Sequence, residues 1–209
     1  MHTAITAKVH KERPEGTYFI VLAPGQSLTD TVKPFAVGGA LTGELRIDDG
    51  RRLSAEQRRK TYAMLADLSD WSGHEPEDLK EIMKYHYIGR TGGEYFSLSD
   101  CSMATAREFI TCLIDFAFEY GVPLRETAIN RADDIDAALY SALKHRRCIV
   151  CGKEGITHHM AGIGAGGSQT VANGGNLKMC LCRPHHYEAH NIGQKTFDEK
   201  YHVYGIDFN

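Results

Sequence analysis

The sequence predicts an α+β protein in two parts: a mixed α/β region over residues 1–145 and a small metal-stabilised module over residues 146–209. Three observations predict it. Amphipathic helices with recognisable caps fill the middle of the chain, after a short start that reads as strands. Past Arg147 glycine becomes dense and helix formers thin out. Four cysteines (Cys148, Cys151, Cys180, Cys182) and five histidines (His158, His159, His185, His186, His190) crowd into that same later segment. With 209 residues, 42% of them hydrophobic and 24% charged, the composition is that of a globular protein and excludes a wholly disordered chain.

The elements follow in order. Residues 3–9 alternate weakly and read as a strand. Thr17–Ala23 reads as a second, more buried strand, closed by Pro24-Gly25. Glu44–Ile47 is a third candidate strand with Asp49-Gly50 as its turn. The first helix starts at Ser54, where Ser54-Ala55-Glu56-Gln57 matches a capping box, and Tyr62, Leu65 and Ala66 give it an apolar stripe. A second helix is expected over Glu77–Tyr87, and a short strand over Tyr95–Leu98. The strongest helix runs from Ser102 to Tyr120: Met103, Ala106, Ile110, Leu113 and Ala117 keep helical spacing, and Gly121 stops it. Cys112 falls within that run as a small core residue. Another helix covers Asp133–His145, with Ile135, Leu139 and Leu143 on one side. A strand is expected over Gly155–Thr157, and a C-terminal helix carrying Phe197, Tyr201 and Tyr204.

No apolar run approaches the roughly 18 residues that span a bilayer, and Met1–His10 does not read as a secretory signal. A reducing cytosol is the expected compartment, so the cysteines are expected to be thiols or metal ligands rather than disulfides. Cys148-x2-Cys151 and Cys182-x2-His185 are two halves of a zinc knuckle, because donors two residues apart can turn back onto one tetrahedral ion. Cys180 competes for the third position. Cys182 is preferred, because Cys180 would leave four residues before His185. A second donor set remains. His186-x3-His190 puts two imidazoles one helical turn apart. His158-His159 follows a strand, where neighbours face opposite sides, so one can bind a metal while the other faces a substrate. That division suits metal-assisted hydrolysis.

The order His158-His159, then Asn176-Leu177, then Leu181-Cys182-x2-His185-His186-x3-His190 resembles the HNH nucleases, which are ββα-metal (His-Me finger) endonucleases. Their finger is often held by CxxC and CxxCHxxxH around zinc. This chain has His185 where the second cysteine of the later pair is usual, and a long Gly-rich stretch, Ala161–Gly175, before Asn176. The resemblance implies a ββα-metal finger in which His158, His186 and His190 hold a catalytic divalent ion, Mg2+ or another. Cys148, Cys151, Cys182 and His185 would hold structural zinc. It implies that His159 is the general base and that Asn176 ties the hairpin loop and orients His159. His159 must be neutral to act, so activity is expected to fall in acid.

The net charge of −3 carries no nucleic-acid signal, so a DNA claim must rest on a local patch. Arg51, Arg52, Arg58, Arg59 and Lys60 form such a patch around a helix start, where cations are unfavourable. A solvated face and a phosphate-binding edge are equally compatible with the spacing. The stretch from Arg52 to Ser69, with Phe96–Ser99, Met103 and the Glu108–Tyr120 helix, resembles the lambda Orf (NinB) recombination proteins. That similarity implies an Orf-like N-terminal domain binding single-stranded or branched DNA as a homodimer, with a single-strand-binding protein or recombinase as partner. The two resemblances together imply a phage or prophage endonuclease working in the cytoplasm of a bacterial host. The alternative is a non-catalytic recombination mediator whose finger only binds zinc and DNA.

Overall fold

The computed structural model describes residues 7–12, 18–22, 50–160 and 177–208. It divides into two compact units, residues 1–47 with 88–94, and residues 48–87 with 95–209. In the first, β1 (Ala7–Glu12) pairs antiparallel with β2 (Tyr18–Leu22), with a register irregularity between Val9 and Lys11. The strand expected over 3–9 is therefore seen from Ala7 onward. Residues 3–6, the Glu44–Ile47 strand, the Ala161–Gly175 stretch and Asn176 lie outside the described residues.

The second unit is built on helices. α1 (Ala55–Ser72) carries the expected capping box: the Gln57 amide donates to Ser54 Oγ at 3.1 Å and the Ser54 amide to Gln57 Oε1 at 3.1 Å. Gln57 also donates its side-chain amide to the Met103 carbonyl at 3.0 Å, joining the starts of two helices. α2 (Pro76–Thr91) continues beyond the expected Tyr87. α3 (Met103–Tyr120) is capped by Ser102 and ends at Gly121, whose φ of 68° is left-handed backbone that glycine adopts at little cost. A short α4 (Ala128–Arg131) and α5 (Ile135–Lys144) follow. α4 has no periodic apolar pattern in sequence because it is a single turn.

Packing follows the apolar stripes. α1 lies on α3, and α3 on α5. Met64, Leu68, Phe109, Ile110, Leu113 and Leu139 are fully buried between them. Cys112 is buried in this core as expected. Tyr95–Leu98 is not a strand. No strand among the described residues pairs with it, and Phe96 and Leu98 pack into the helical core instead. Phe96 sits edge-on to Tyr87 and Phe109 with ring centroids 5.4 and 5.2 Å away, and Leu98 is buried.

The remaining chain forms a three-stranded antiparallel sheet, β3 (Ile156–His159), β4 (Leu177–Leu181) and β5 (Ile206–Asp207), with β4 in the centre. Two helices follow β4: α6 (Arg183–Ile192) and α7 (Gln194–Tyr201). The C-terminal helix ends at His202, in left-handed backbone, so Tyr204 is not on it; the chain turns there to supply β5. α5 ends at Lys144, and it packs on β4 and β5 within the second unit.

Candidate metal centres and active site

Cys148 and Cys151 stand on a tight knuckle. The Cys148 amide donates to the Lys153 carbonyl and the Gly152 amide to the Cys148 carbonyl, both at 2.7 Å. Gly152 has φ of 70°, which closes the turn. Cys182 is the N-cap residue of α6, with Pro184 in its first turn, and His185 follows on that helix. The structure brings these four side chains together: His185 Nδ1 lies 3.4 Å from Cys148 Sγ and 3.2 Å from Cys182 Sγ, and Cys151 Sγ lies 3.6 Å from Cys182 Sγ. A tetrahedral ion at zinc–ligand distances sets edges of about 3.5–3.8 Å, so donor set and spacing fit zinc. All four positions are protein donors, which makes it a closed site. Burial pushes the Cys148 and Cys151 thiols up and the His185 imidazole down. An ion bound there would reverse the sign for the thiols by stabilising thiolate. Cys180 stands apart, buried on β4 with its thiol pushed up to about 12 by burial.

The second group is His158, His186 and His190, whose ligand nitrogens lie within 4.8 Å of one another. β3 supplies His158 and α6 supplies the other two. Successive helix residues point about 100° apart, so His185 and His186 can serve different centres. His186 and His190 are one turn apart, with ring centroids 4.7 Å from each other. His158 lies edge-on to both, at 4.8 and 5.2 Å. His158 is buried, His186 half-buried and His190 exposed. Three protein donors with one side open to solvent is the arrangement that leaves positions for water and substrate. Burial, then the neighbouring His158 and His190, holds the His186 imidazole below its ordinary value. His159 is exposed while His158 is buried, as the alternation of β3 requires.

These two centres, one closed and one open, sit on a strand–strand–helix frame. A family model described as "Putative HNHc nuclease" matches residues 28–208. The chain belongs to the HNHc nuclease family. No curated protein and no solved structure is significantly similar to it. In this chain the expected metal-ligand residues are brought into two separate groups, with Cys182 rather than Cys180 in the first.

The basic patch divides. Arg51, Arg52, Arg58 and Arg59 are exposed. Arg52 donates to the Asp100 carbonyl, and Arg58 to the Ser99 carbonyl at 2.8 Å. Arg58 and Arg59 line an open cavity of about 390 Å³ with Leu53, Ala55 and Tyr62. Lys60 is turned inward: Nζ lies 3.0 Å from Asp133 and 3.3 Å from Glu56, and donates to the Ala132 carbonyl at 3.2 Å. Sequence reasoning could not see this, because Asp133 is far along the chain.

Two further features of the chain had no sequence signal. Gln194 Oε1 lies 2.8 Å from His158 Nε2, and Gln194 Nε2 donates to Asp198 Oδ1 at 2.7 Å. Burial raises the Asp198 carboxyl, opposed by that hydrogen bond. Asp115, Glu119 and His145 form a third group of donors. Asp115 is already matched by Ser141 Oγ at 2.7 Å, Lys144 Nζ at 3.2 Å and His145 Nε2 at 2.9 Å, and so pins α5 to α3.

Proposed function

We propose that this HNHc nuclease is a metal-dependent DNA endonuclease. The observation that carries the reading is the pairing on β3 of buried His158, among His186 and His190, with exposed His159 beside it. His158, His186 and His190 would hold a divalent ion, Mg2+ or another. When bound, that ion supplies electrostatic stabilisation of charge on the phosphate and on the departing 3′ oxygen. His159 takes a proton from a water molecule on one imidazole nitrogen. The oxygen of that water attacks phosphorus, the bond to the 3′ oxygen breaks, and solvent returns a proton to the leaving oxygen. The resemblance gives Asn176, which lies outside the described residues, the part of orienting His159. Cys148, Cys151, Cys182 and His185 hold structural zinc and so fix α6 against the sheet.

The Orf-like part, residues 1–145, serves as the DNA platform for a finger over 146–209. Arg51, Arg52, Arg58 and Arg59 contact phosphates, and Tyr62 offers a ring to an unstacked base beside Arg58 and Arg59, a combination suited to single strands. Lys60 is left out of that surface by its ion pairs. Branched or single-stranded recombination intermediates of a phage or prophage, cut by a homodimer, are the substrates this reading favours. The test is a nicking assay on linear, single-stranded, flapped and four-way DNA, with Mg2+, Mn2+, Ni2+ and Co2+ each supplied. Cleavage is expected with at least one ion and none in chelator. Binding of DNA with no cleavage under every ion would mean a recombination mediator instead.

A further inference from the structure

Gln194, at the start of α7, is hydrogen-bonded to a member of the open three-histidine group and has a fixed orientation. Asp198 Oδ1 can only accept, so the Gln194 group facing it at 2.7 Å is the NH2 end. That leaves the Gln194 carbonyl oxygen facing His158 Nε2 at 2.8 Å. A carbonyl oxygen can only accept, so Nε2 of His158 carries the hydrogen and Nδ1 is left with its lone pair. His158 is 4% exposed, so water does not compete for the ring.

We infer that Gln194, held by Asp198, fixes the tautomer and ring orientation of His158 so that Nδ1 is the nitrogen that meets the divalent ion. Gln194 and Asp198 are thus positioning residues, acting through His158. The inference rests on the proposed metal centre. A ligating histidine is oriented by the acceptor on its other nitrogen, and loss of that acceptor costs about 10–100-fold in metal affinity. Here the acceptor is an amide, and the carboxylate one helical turn on keeps the amide from flipping. α7 therefore has a function besides packing: Phe197 anchors it in the core, Gln194 meets His158, and Asp198 holds Gln194.

The experiment uses the full chain with its zinc content verified, and Ni2+ as the probe. Long-range proton–nitrogen correlation spectra read the His158 tautomer before Ni2+ is added. Calorimetry reads Ni2+ affinity. The His158 ring is expected to carry its proton on Nε2. Gln194→Ala should weaken Ni2+ binding by about 10–100-fold with zinc content and helicity unchanged. The double variant Gln194→Glu/Asp198→Asn keeps every hydrogen bond with donor and acceptor exchanged between 194 and 198, and should restore affinity to within a few-fold. A proton on Nδ1, no Ni2+ binding by the wild type, or a Gln194→Ala affinity equal to wild type would overturn the inference. Failure of the double variant to recover affinity, with its zinc content and helicity intact, would also overturn it. Failure to cut DNA, with Ni2+ affinity still dependent on Gln194, would sink the nuclease reading and leave this inference standing.

Discussion

Lys60 shows how far a single side chain can depart from its local charge pattern. In sequence it belongs with Arg58 and Arg59; in the fold its ammonium is committed to Asp133 and to the Ala132 carbonyl. Lys60 and Asp133 side chains are 12% and 15% exposed, so removing one leaves the other poorly solvated. Lys60→Ala is expected to cost about 1–2 kcal/mol of stability, read from urea denaturation, with DNA affinity little changed. Arg58→Ala/Arg59→Ala should do the opposite. Stability should hold, while single-stranded DNA binding weakens and its salt slope flattens by about one to two counterions. A matching loss of affinity from Lys60→Ala alone would contradict the partition. At the open centre, His190→Ala should remove Ni2+ binding and cleavage together without touching zinc content, because His190 belongs to the group of three and not to the group of four.

The elements that carry the site are the β3–β4 hairpin and α6. Gly155 precedes β3 and lies close against the end of β4. A Cβ there would lie 2.7 Å from Cys180 Sγ and 2.9 Å from the Leu181 carbonyl oxygen. The second of these is backbone, so the strands must move. Gly155→Ala should cost about 1–3 kcal/mol in thermal denaturation and loosen Ni2+ binding, since His158 moves with β3. An unchanged melting temperature would show that the hairpin absorbs the methyl elsewhere. Much of this layer was legible in sequence. The capping box at Ser54, the stripe from Met103 to Ala117 and the Cys-x2-Cys knuckle each encode their element within a few residues. Tyr95–Leu98 was misread because alternation reports only that side chains face two ways, and no partner strand exists for it among the described residues. Gln194 was invisible because its meaning comes from a hydrogen bond between α7 and β3, a tertiary event with no local pattern.

At the scale of the whole second unit, α5 belongs to the helical core and also packs on β4 and β5. Zinc binding in small modules is worth about 10 kcal/mol of folding free energy, so its loss should not stay local. Stripping the metal with a strong chelator should unfold the finger and also lower the melting temperature of the helices, seen by far-ultraviolet circular dichroism. Helices that melt at the same temperature with and without zinc would show that the two parts are energetically independent. No helix among the described residues is long and apolar enough to cross a membrane. The central claim is the division of labour between adjacent residues of β3, with His158 toward the ion and His159 toward the substrate. Single-turnover cleavage of a DNA that the wild type cuts, compared between wild type and His159→Ala, tests it most directly. Zinc content, Ni2+ affinity and DNA binding should match, while the rate falls by about 10²–10⁴, the usual worth of a positioned base. A His159→Ala rate equal to wild type would contradict the account.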